Sequence, residues 1–318
     1  MFFTYHLCVH YKLALLQMKK FIDYSKKIGS DFMLCQGPGG NTSYKSGEEI
    51  YIKKSGLHLS NTSEETFQRI NYSEILDFYQ NTKNDQEKFN KQLSIETPLH
   101  VLSTARYVFH YHSIASIICS AILERNSLNK LLEKKEVLPI SYIRPGLNLA
   151  LEIQKRNQSK KHSSFFLYNH GMVVEGENLE EINEKIYKIE DFFSELIDYE
   201  RLKKLKNNIS ILKQNNFKIK NPNSEIIYEK FNNKFLFPDH GVFFPYPIDR
   251  NTHSPINYDE HYLNFNKQLT ETELLYFKTL LIIFTYINNG KLLNYIDKET
   301  SAELRNSEDE ILRRKLNK

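Results

Sequence analysis

The sequence of 318 residues contains no tryptophan and only three cysteines, Cys8, Cys35 and Cys119. Because the cysteines are odd in number, widely spaced and without a Cys-x-x-Cys pair, they argue against a secreted fold built on disulfides. They also argue against a structural zinc site made of cysteine ligands. The scarcity of cysteine favours a reducing compartment, and we predict a cytoplasmic protein.

Long runs of one charge and long apolar runs are also missing. The 43 basic and 39 acidic residues are scattered and leave a net charge of +4. This balance predicts no nucleic-acid groove but is compatible with anionic small molecules. Residues 1–17 are apolar, but His6, His10 and Lys12 interrupt them and they are too short to span a bilayer, so we expect no membrane association. We interpret them as an extension without a role in the fold, ahead of a natural start at Met18.

The glycine run at residues 37–41 lacks the pattern of the common nucleotide-binding loops. No Gly-Lys-Ser/Thr follows it, and Gly-x-Gly-x-x-Gly is absent. One interpretation is a tight turn. The other is an anion cradle, in which Gly40 lets backbone amides approach a phosphate and the amide of Asn41 assists. A second segment adds a hydroxyl, backbone amides and positive charge: Lys53, Lys54, Ser55 and Gly56.

Two histidines, His110 and His112, lie in an apolar stretch that is predicted as a strand. Side chains repeat every two residues along a strand, so both rings would point the same way with Cα atoms about 6–7 Å apart. Such a pair alone is more often a structural feature. Here the neighbours are bulky and apolar, and unpaired imidazoles would cost roughly 1–3 kcal/mol each. A shared metal ion would remove that cost.

A carboxylate and a third histidine extend this pattern, Glu96 and His170. Three protein ligands with an open position are the usual arrangement of a catalytic zinc, and a nearby carboxylate can move a proton. Alternatively, Glu96 is only a favourable partner of a helix dipole. We interpret His100 as a core histidine and Arg144 as a minor candidate for an anion contact. Asp239-His240 is a turn or local salt link in the favoured interpretation and a second site in the alternative.

The hydrophobic spacing predicts a helix over residues 18–28, for which Gly29 provides a left-handed cap. Further predicted helices cover residues 63–79, 179–206, 270–288 and 302–316, and predicted strands include 51–54, 226–228 and 234–237. The predicted organisation is an N-terminal extension at 1–17, a main domain at 18–206, a linker at 207–224 and a C-terminal extension at 225–318.

Five ordered motifs resemble those of the class II aldolase/adducin family over roughly residues 19–200. They are Gly39-Gly40-Asn41-Thr42-Ser43, Ile52 to Gly56, Ser94-Ile95-Glu96 to His100, His110-Tyr111-His112-Ser113, and Asn169-His170-Gly171 to Gly176. The resemblance implies a three-layer α/β/α sandwich with a mainly antiparallel central sheet, here followed by a C-terminal α+β extension. It also implies a homo-oligomer, usually a tetramer with active sites at subunit contacts.

The resemblance further implies a role for each motif. The histidines matching His110, His112 and His170 bind Zn²⁺ or another divalent metal such as Mn²⁺, Co²⁺ or Fe²⁺, and the residue matching Glu96 is the acid/base. Six residues are predicted to bind the substrate or its phosphate: Gly40, Asn41, Lys53, Ser55, Gly56 and Ser94.

The details are most similar to the aldolase part of larger proteins that resemble a rhamnulose-phosphate aldolase fused to a short-chain dehydrogenase. The tail around Pro238-Asp239-His240 and the segment from Glu303 to Arg313 share in this similarity. Lys53-Lys54 before Ser55-Gly56, and Ile95 in place of a second serine, depart from the small fuculose-phosphate aldolases. These departures leave the substrate open.

The sequence therefore predicts a metal-dependent aldolase that acts on a phosphorylated ketose or related sugar by stabilising an enediolate. A sugar-phosphate dehydratase or epimerase on the same scaffold is the first alternative, because both reactions begin with a metal-polarised substrate. A non-enzymatic, adducin-like interaction module is the second. Members of that branch can lack the metal histidines, whereas all three are present here.

Overall fold

The computed structural model describes residues 2–82, 89–222, 225–226, 228–251, 253–288, 290 and 292–318, with side chains from Leu15 onward. Its helices are α1 (Phe2–Ser30), α2 (Tyr72–Asn81), α3 (Thr97–Val101), α4 (Ile114–Ile122), α5 (Arg125–Lys134), α6 (Leu147–Arg156), α7 (Leu179–Leu196), α8 (Tyr199–Ser210), α9 (Pro238–Phe243), α10 (Glu271–Ile287), α11 (Lys298–Arg305) and α12 (Glu308–Leu316). Its strands are β1 (Asn41–Ser46), β2 (Glu49–Lys53), β3 (Phe67–Asn71), β4 (Tyr107–Tyr111), β5 (Leu138–Ile140), β6 (Ser164–Leu167), β7 (Gly171–Gly176), β8 (Lys218–Lys220), β9 (Ile248–Asp249), β10 (Ile256–Tyr258) and β11 (Tyr262–Phe265).

The larger of two sheets has seven strands with the order β3-β2-β1-β4-β7-β6-β5. Strands β3, β2, β1 and β4 pair antiparallel in succession, and all five residues of β4, the middle strand, are buried. The register places Asn41 on β1 opposite His110 on β4. The predicted α/β class with a mainly antiparallel sheet is therefore confirmed, and the sheet brings the glycine run next to the His-x-His motif.

Helix α1 belongs to a first compact unit made of residues 1–111, 145–165 and 173–187. Phe21, Ser25 and Ile28 share the buried face of this helix, as their spacing predicts. Its range also includes residues 2–17 of the predicted extension, where the Gln17 side chain accepts a hydrogen bond of 2.9 Å from the hydroxyl of Tyr44. Whether the native chain starts at Met18 stays a prediction.

Gly29 is not the left-handed cap that the sequence suggested. It lies inside α1, which continues to Ser30, and it is absent from the residues with positive φ. A Cβ added at Gly29 would overlap the backbone carbonyl carbon and Cβ of Leu59. The glycine is therefore explained by close packing of the helix on the chain at Leu59, and not by backbone conformation.

The helix predicted over residues 63–79 is wrong in its first half. The segment contains a short 3-10 turn at Glu64–Thr66, then strand β3, and only then helix α2. Pairing of β3 with β2 overrides the local helical pattern, and the side chain of Asn71 starts α2 by accepting a hydrogen bond of 3.2 Å from the amide of Glu74.

The second compact unit consists of residues 112–144, 166–172 and 188–318. It contains a four-stranded sheet with the order β8-β11-β10-β9 together with helices α8 to α12, which confirms the predicted C-terminal α+β character. The predicted linker at 207–224 contains the end of α8 and strand β8, and its role as a domain boundary stays a prediction. Among the described residues, no helix combines the length and apolar character that crossing a bilayer requires.

Two strands predicted in this unit are corrected. Tyr228–Phe231 is a 3-10 turn, and Ile227 lies outside the described residues. In the segment 234–237, Phe235 forms only an isolated bridge with Ile296. Pro238 explains the second case, because it occupies the first turn of α9 and ends any extended run at the residue before it.

Candidate metal centre

His110 occupies the buried middle of the sheet and faces the carboxylate of Glu96. The distance from His110 Nε2 to Glu96 Oε1 is 3.2 Å, and both side chains are buried. Glu96 holds the N-cap position of α3, where Pro98 lies in the first turn. Asn41 Nδ2 donates to Glu96 Oε2 at 3.1 Å and to Ser94 Oγ at 3.3 Å. The predicted acid/base, one predicted ligand and two predicted substrate residues are thus in one polar cluster.

His112 and His170 form a second pair. His112 lies one residue beyond the end of β4 and just before Ser113, which caps α4. His170 lies in the turn between β6 and β7, after Asn169, whose φ of 52° is left-handed. The amide of Asn169 donates to Ser120 Oγ at 2.8 Å, which fixes this turn. The ring centroids of His112 and His170 are 5.3 Å apart.

The four side chains present their ligand atoms to one point. One nitrogen from each of His110, His112 and His170 and one oxygen from Glu96 all lie within 4.8 Å of one another. The four residues are buried, with exposed fractions of 8% or less. Imidazole nitrogens with one carboxylate suit zinc and the neighbouring divalent ions, and a buried set of this kind has the chemistry to hold one. The cluster could therefore bind a divalent metal ion.

The glycine run is folded tightly against the same strand. Gly40 has φ of +71°, and a Cβ there would lie 2.9 Å from the carbonyl oxygen of His110. Lys53 is only 1% exposed, and its Nζ donates to the carbonyl of Pro38 at 3.2 Å. A buried ammonium group therefore lies at the glycine run, next to the strand that carries His110.

The predicted Ser55-Gly56 segment lies beside the chain that leads to Ser94. The amide of Ser55 donates to the carbonyl of Gln92 at 2.9 Å, and Lys54 forms a bridge with Leu93. Gly56 has φ of 76°, a left-handed conformation that favours glycine. These contacts bring two predicted phosphate residues, Ser55 and Ser94, onto adjacent segments.

Asp239 contacts one of the cluster histidines, whereas the sequence favoured a turn or a local salt link at this position over a second site. Its Oδ2 lies 3.3 Å from His112 Nδ1, and its Oδ1 lies 2.7 Å from Arg313 Nη1. Burial alone would raise the pKa of Asp239, but Arg313 and His112 outweigh burial and hold the pKa well below its ordinary value. The positions are too far apart in the chain for spacing to reveal this contact.

His100 behaves as a core histidine. It is fully buried, and its Nδ1 lies 2.9 Å from Ser43 Oγ. Burial, followed by the nearby His110, lowers the pKa of His100 to about 3, so the ring is neutral at physiological pH.

A cavity of about 340 Å³ lies within the first unit, and none of the four cluster residues lines it. Its wall includes Glu175, which accepts a hydrogen bond of 2.5 Å from Ser103 and whose pKa is raised chiefly by burial. Glu175 is near the opposite end of β7 from His170, roughly 16 Å away at the rise of an extended strand. Among the described residues, the four-residue cluster is the group that combines metal-ligand chemistry with a nearby carboxylate, and we take it as the candidate site.

The chain belongs to the class II aldolase and adducin family. The family model described as the Class II Aldolase and Adducin N-terminal domain matches residues 19–197, more than half of the chain. An uncharacterized oxidoreductase of Bacillus subtilis (strain 168), YuxG, is 28% identical over 188 residues. That alignment covers 52% of this chain but only 27% of the relative's length.

Solved structures also resemble the chain. The N-terminal class II aldolase domain of a conserved protein from Thermoplasma acidophilum is 24% identical, with a TM-score of 0.48, and the match covers 55% of this chain and 91% of that one. The l-fuculose-1-phosphate aldolase from Thermus thermophilus is 19% identical, with a TM-score of 0.42 and coverage of 58% and 96%.

Proposed function

We propose that the chain is a metal-dependent aldolase, a carbon–carbon lyase that acts on a phosphorylated ketose or related sugar. The observation that carries this proposal is the convergence of three histidines and Glu96 within 4.8 Å in a chain of the class II aldolase and adducin family. His110, His112 and His170 would hold Zn²⁺ or another divalent ion. When bound, such an ion supplies Lewis-acid stabilisation of the negative charge that develops on substrate oxygen, worth several kcal/mol.

Glu96 is the acid/base of this proposal. During cleavage its carboxylate takes the proton of the substrate hydroxyl at the bond that breaks, and it returns a proton to the carbon of the other fragment. The hydrogen bond from Asn41 to Oε2 orients the carboxylate, while Oε1 faces His110. The burial of Glu96 keeps bulk water from competing for this proton.

The phosphate is assigned to the region around the glycine run. Lys53 supplies a buried positive charge at Pro38, and Ser94 adds a hydroxyl that already contacts Asn41. Gly40 and Gly56 contribute backbone amides at positions where the chain is left-handed, and Ser55 contributes its hydroxyl. We further propose that the protein is cytoplasmic. We also propose that it is a homo-oligomer, by family resemblance a tetramer; light scattering of the purified protein would measure its oligomeric state.

The experiment combines metal analysis with product analysis. Metal-loaded protein is incubated with a panel of ketose phosphates and free ketoses, and fragments are identified by mass. We expect a triose phosphate plus an aldehyde and about one divalent ion per chain. His112→Ala should lose both ion and turnover, whereas Glu96→Gln should lower kcat about 10²–10⁴-fold. His253→Ala, at an exposed histidine far from these contacts in the chain, is the matched control.

Three outcomes would overturn parts of the proposal. A product with an unchanged carbon count would favour the alternative, a sugar-phosphate dehydratase or epimerase on the same scaffold. Protein that binds no divalent ion under non-chelating conditions would argue against any metal-dependent catalysis and would favour an adducin-like interaction module. Full activity of His112→Ala would show that the site is placed wrongly.

A further inference from the structure

We propose that Asp239 is a positioning residue, which accepts a hydrogen bond from Nδ1 of His112 and so directs the Nε2 lone pair of that ring toward the cluster. The proposal rests on the metal centre proposed above and extends it, because it assigns part of the C-terminal segment to that centre. Neutral imidazole has two tautomers, and the partner of one nitrogen decides which nitrogen can serve as a ligand.

A carboxylate oxygen lies beside the ring nitrogen that is protonated in this tautomer. Asp239 Oδ2 lies 3.3 Å from His112 Nδ1, and both side chains are buried to within a few per cent. Asp239 lies in the first turn of α9, directly after Pro238, so its backbone is fixed by a residue with restricted φ. The carboxylate therefore approaches the ring from a rigid position.

Two further elements hold the carboxylate itself. Arg313 on α12 donates through Nη1 to Asp239 Oδ1 at 2.7 Å and through Nη2 to Oδ2 at 3.1 Å. Tyr276 on α10 donates its hydroxyl proton to Oδ2 at 2.6 Å. The bidentate contact with the guanidinium and the hydrogen bond from the phenol fix the plane of the carboxylate. Asp239 is thus held in one orientation by side chains from two separate helices.

A second part of the C-terminal segment fixes the turn that carries His170. Asn169 Nδ2 donates to the carbonyls of Leu236 and Asn294, each at 3.2 Å. Residues before and after α10 therefore support the chain next to His170, just as Asp239 supports His112. Both histidines of this pair depend on chain beyond the segment 19–197 that the family model matches.

The competing explanation is that Asp239 and Arg313 form a buried ion pair that serves only to join α9 and α12. That role needs no contact with His112. Removing one charge would leave the other buried and uncompensated, which is strongly destabilising. A test must therefore separate the effect on His112 from the effect on folding.

The decisive variant is the double substitution Asp239→Ala with Arg313→Met, made in the Glu310→Gln background, so that neither a guanidinium nor the buried carboxylate of Glu310 is left without its charged partner. Glu310→Gln is the matched control, because Glu310 Oε2 contacts the same arginine, Arg313, at 3.3 Å. Thermal unfolding establishes that each variant folds. Affinity for Zn²⁺ is then measured by chelator competition, and the His112 tautomer of metal-free protein is read from its imidazole ¹⁵N shifts, assigned by their loss in His112→Ala.

We expect the double variant to bind Zn²⁺ about 10–100-fold more weakly and to lose the Nδ1–H tautomer as the dominant form, while Glu310→Gln keeps both properties. Unchanged affinity and an unchanged tautomer in the folded double variant would overturn the proposal and leave a purely structural ion pair. If the wild-type protein binds no metal, the proposed function fails, yet the tautomer measurement still decides whether Asp239 directs His112.

Discussion

Buried histidines of this chain have different electrostatic surroundings, and these set their chemistry one residue at a time. His112 has a carboxylate at Nδ1, whereas His240 has the amide of Leu236, which donates to its Nδ1 at 3.1 Å. The rings of Phe235 and Phe284 pack near His240, with centroids 4.9 Å and 6.0 Å away. Such an apolar environment keeps an imidazole neutral.

The neutrality of His240 predicts a pH dependence of stability. Burial lowers the pKa of His240 to about 3. Above about pH 6.5 the ring is neutral in both the folded and the unfolded chain, and between these pH values only the unfolded chain takes up the proton. His240 alone should therefore lower the free energy of unfolding by up to about 1.4 kcal/mol per pH unit on acidification.

His240→Asn, which keeps an acceptor for the Leu236 amide, should remove this dependence. Denaturant titrations at pH 7 and pH 5 should show a smaller loss of stability in His240→Asn than in the wild type, by roughly 1–2 kcal/mol. The exposed control His253→Ala should follow the wild type. Parallel losses in wild type and His240→Asn would contradict the assignment.

The sequence predicted the metal-ligand residues where they lie in recognisable motifs. The strand pattern around His110 and the order of the motifs predicted that Glu96 and His170 would join it, and the structure brings their ligand atoms together. Asp239 was not predictable in this way. Its contact with His112 depends on how α9 is placed by tertiary packing, and no periodicity links the two positions.

Helices and strands follow the sequence where capping and apolar spacing agree. Helix α10 shows this agreement, because most of its residues are buried and both partners of a capping box are present at its start. Thr270 Oγ1 accepts a hydrogen bond of 3.1 Å from the amide of Glu273, and Glu273 Oε2 accepts one of 2.9 Å from the amide of Thr270. The sequence predicted this helix over residues 270–288 from its apolar spacing.

Loss of the cap should weaken α10 measurably. Thr270→Ala removes the Oγ1 acceptor, so we expect the free energy of unfolding to fall by about 1 kcal/mol. Thr270→Ser keeps the acceptor and should fall by less than half as much. Denaturant unfolding with an unchanged slope measures the difference. Equal stabilities of the alanine and serine variants would show that the cap contributes little.

Elements failed to follow the sequence where sheet pairing competed with helical spacing. Residues 67–71 form strand β3 because β2 offers an adjacent edge, and the helix begins only at Tyr72.

The long helix predicted over 179–206 ends at Leu196, and Asp198 starts α8 by accepting a hydrogen bond of 3.0 Å from the amide of Arg201. An aspartate at an N-cap was visible in the sequence, but the uninterrupted apolar spacing concealed it.

At the scale of the whole molecule, the candidate centre is built from segments that are distant in the chain. Glu96 precedes α3, His110 and His112 flank the end of β4, and His170 precedes β7. A metal ion that binds the three histidines binds only the folded chain, so its binding free energy adds to stability.

Metal removal should therefore lower the melting temperature. At a free Zn²⁺ concentration of about 1,000 Kd the added stability is about 4 kcal/mol, which corresponds to a rise of several degrees for a chain of this size. Differential scanning calorimetry of metal-free and Zn²⁺-loaded protein measures the change. His112→Ala should show little rise on adding Zn²⁺. Identical melting temperatures for both forms of the wild type would argue against a metal centre.

The overall architecture was more predictable than its boundaries. The family resemblance implied the α/β class, and the seven-stranded sheet confirms it. The C-terminal sheet was harder to predict from the sequence, because β9 and β10 are only two and three residues long and the residues between them separate the two strands in the chain. Strands this short carry too few alternating positions to be recognised without their partners.

The close packing of α1 at Gly29 has a consequence for substitutions at this position. Any side chain at this position must push α1 away from Leu59. Ser25 on the same helix lies 2.9 Å from the hydroxyl of Thr42, the neighbour of Asn41, which in turn donates to Glu96. A substitution at Gly29 would thus reach the carboxylate through the contact of Ser25 with Thr42, the backbone from Thr42 to Asn41, and the Asn41 side chain. A substitution that abolishes function therefore need not replace a catalytic or metal-binding residue. Gly29, which has no side chain, is one position where such a substitution is expected.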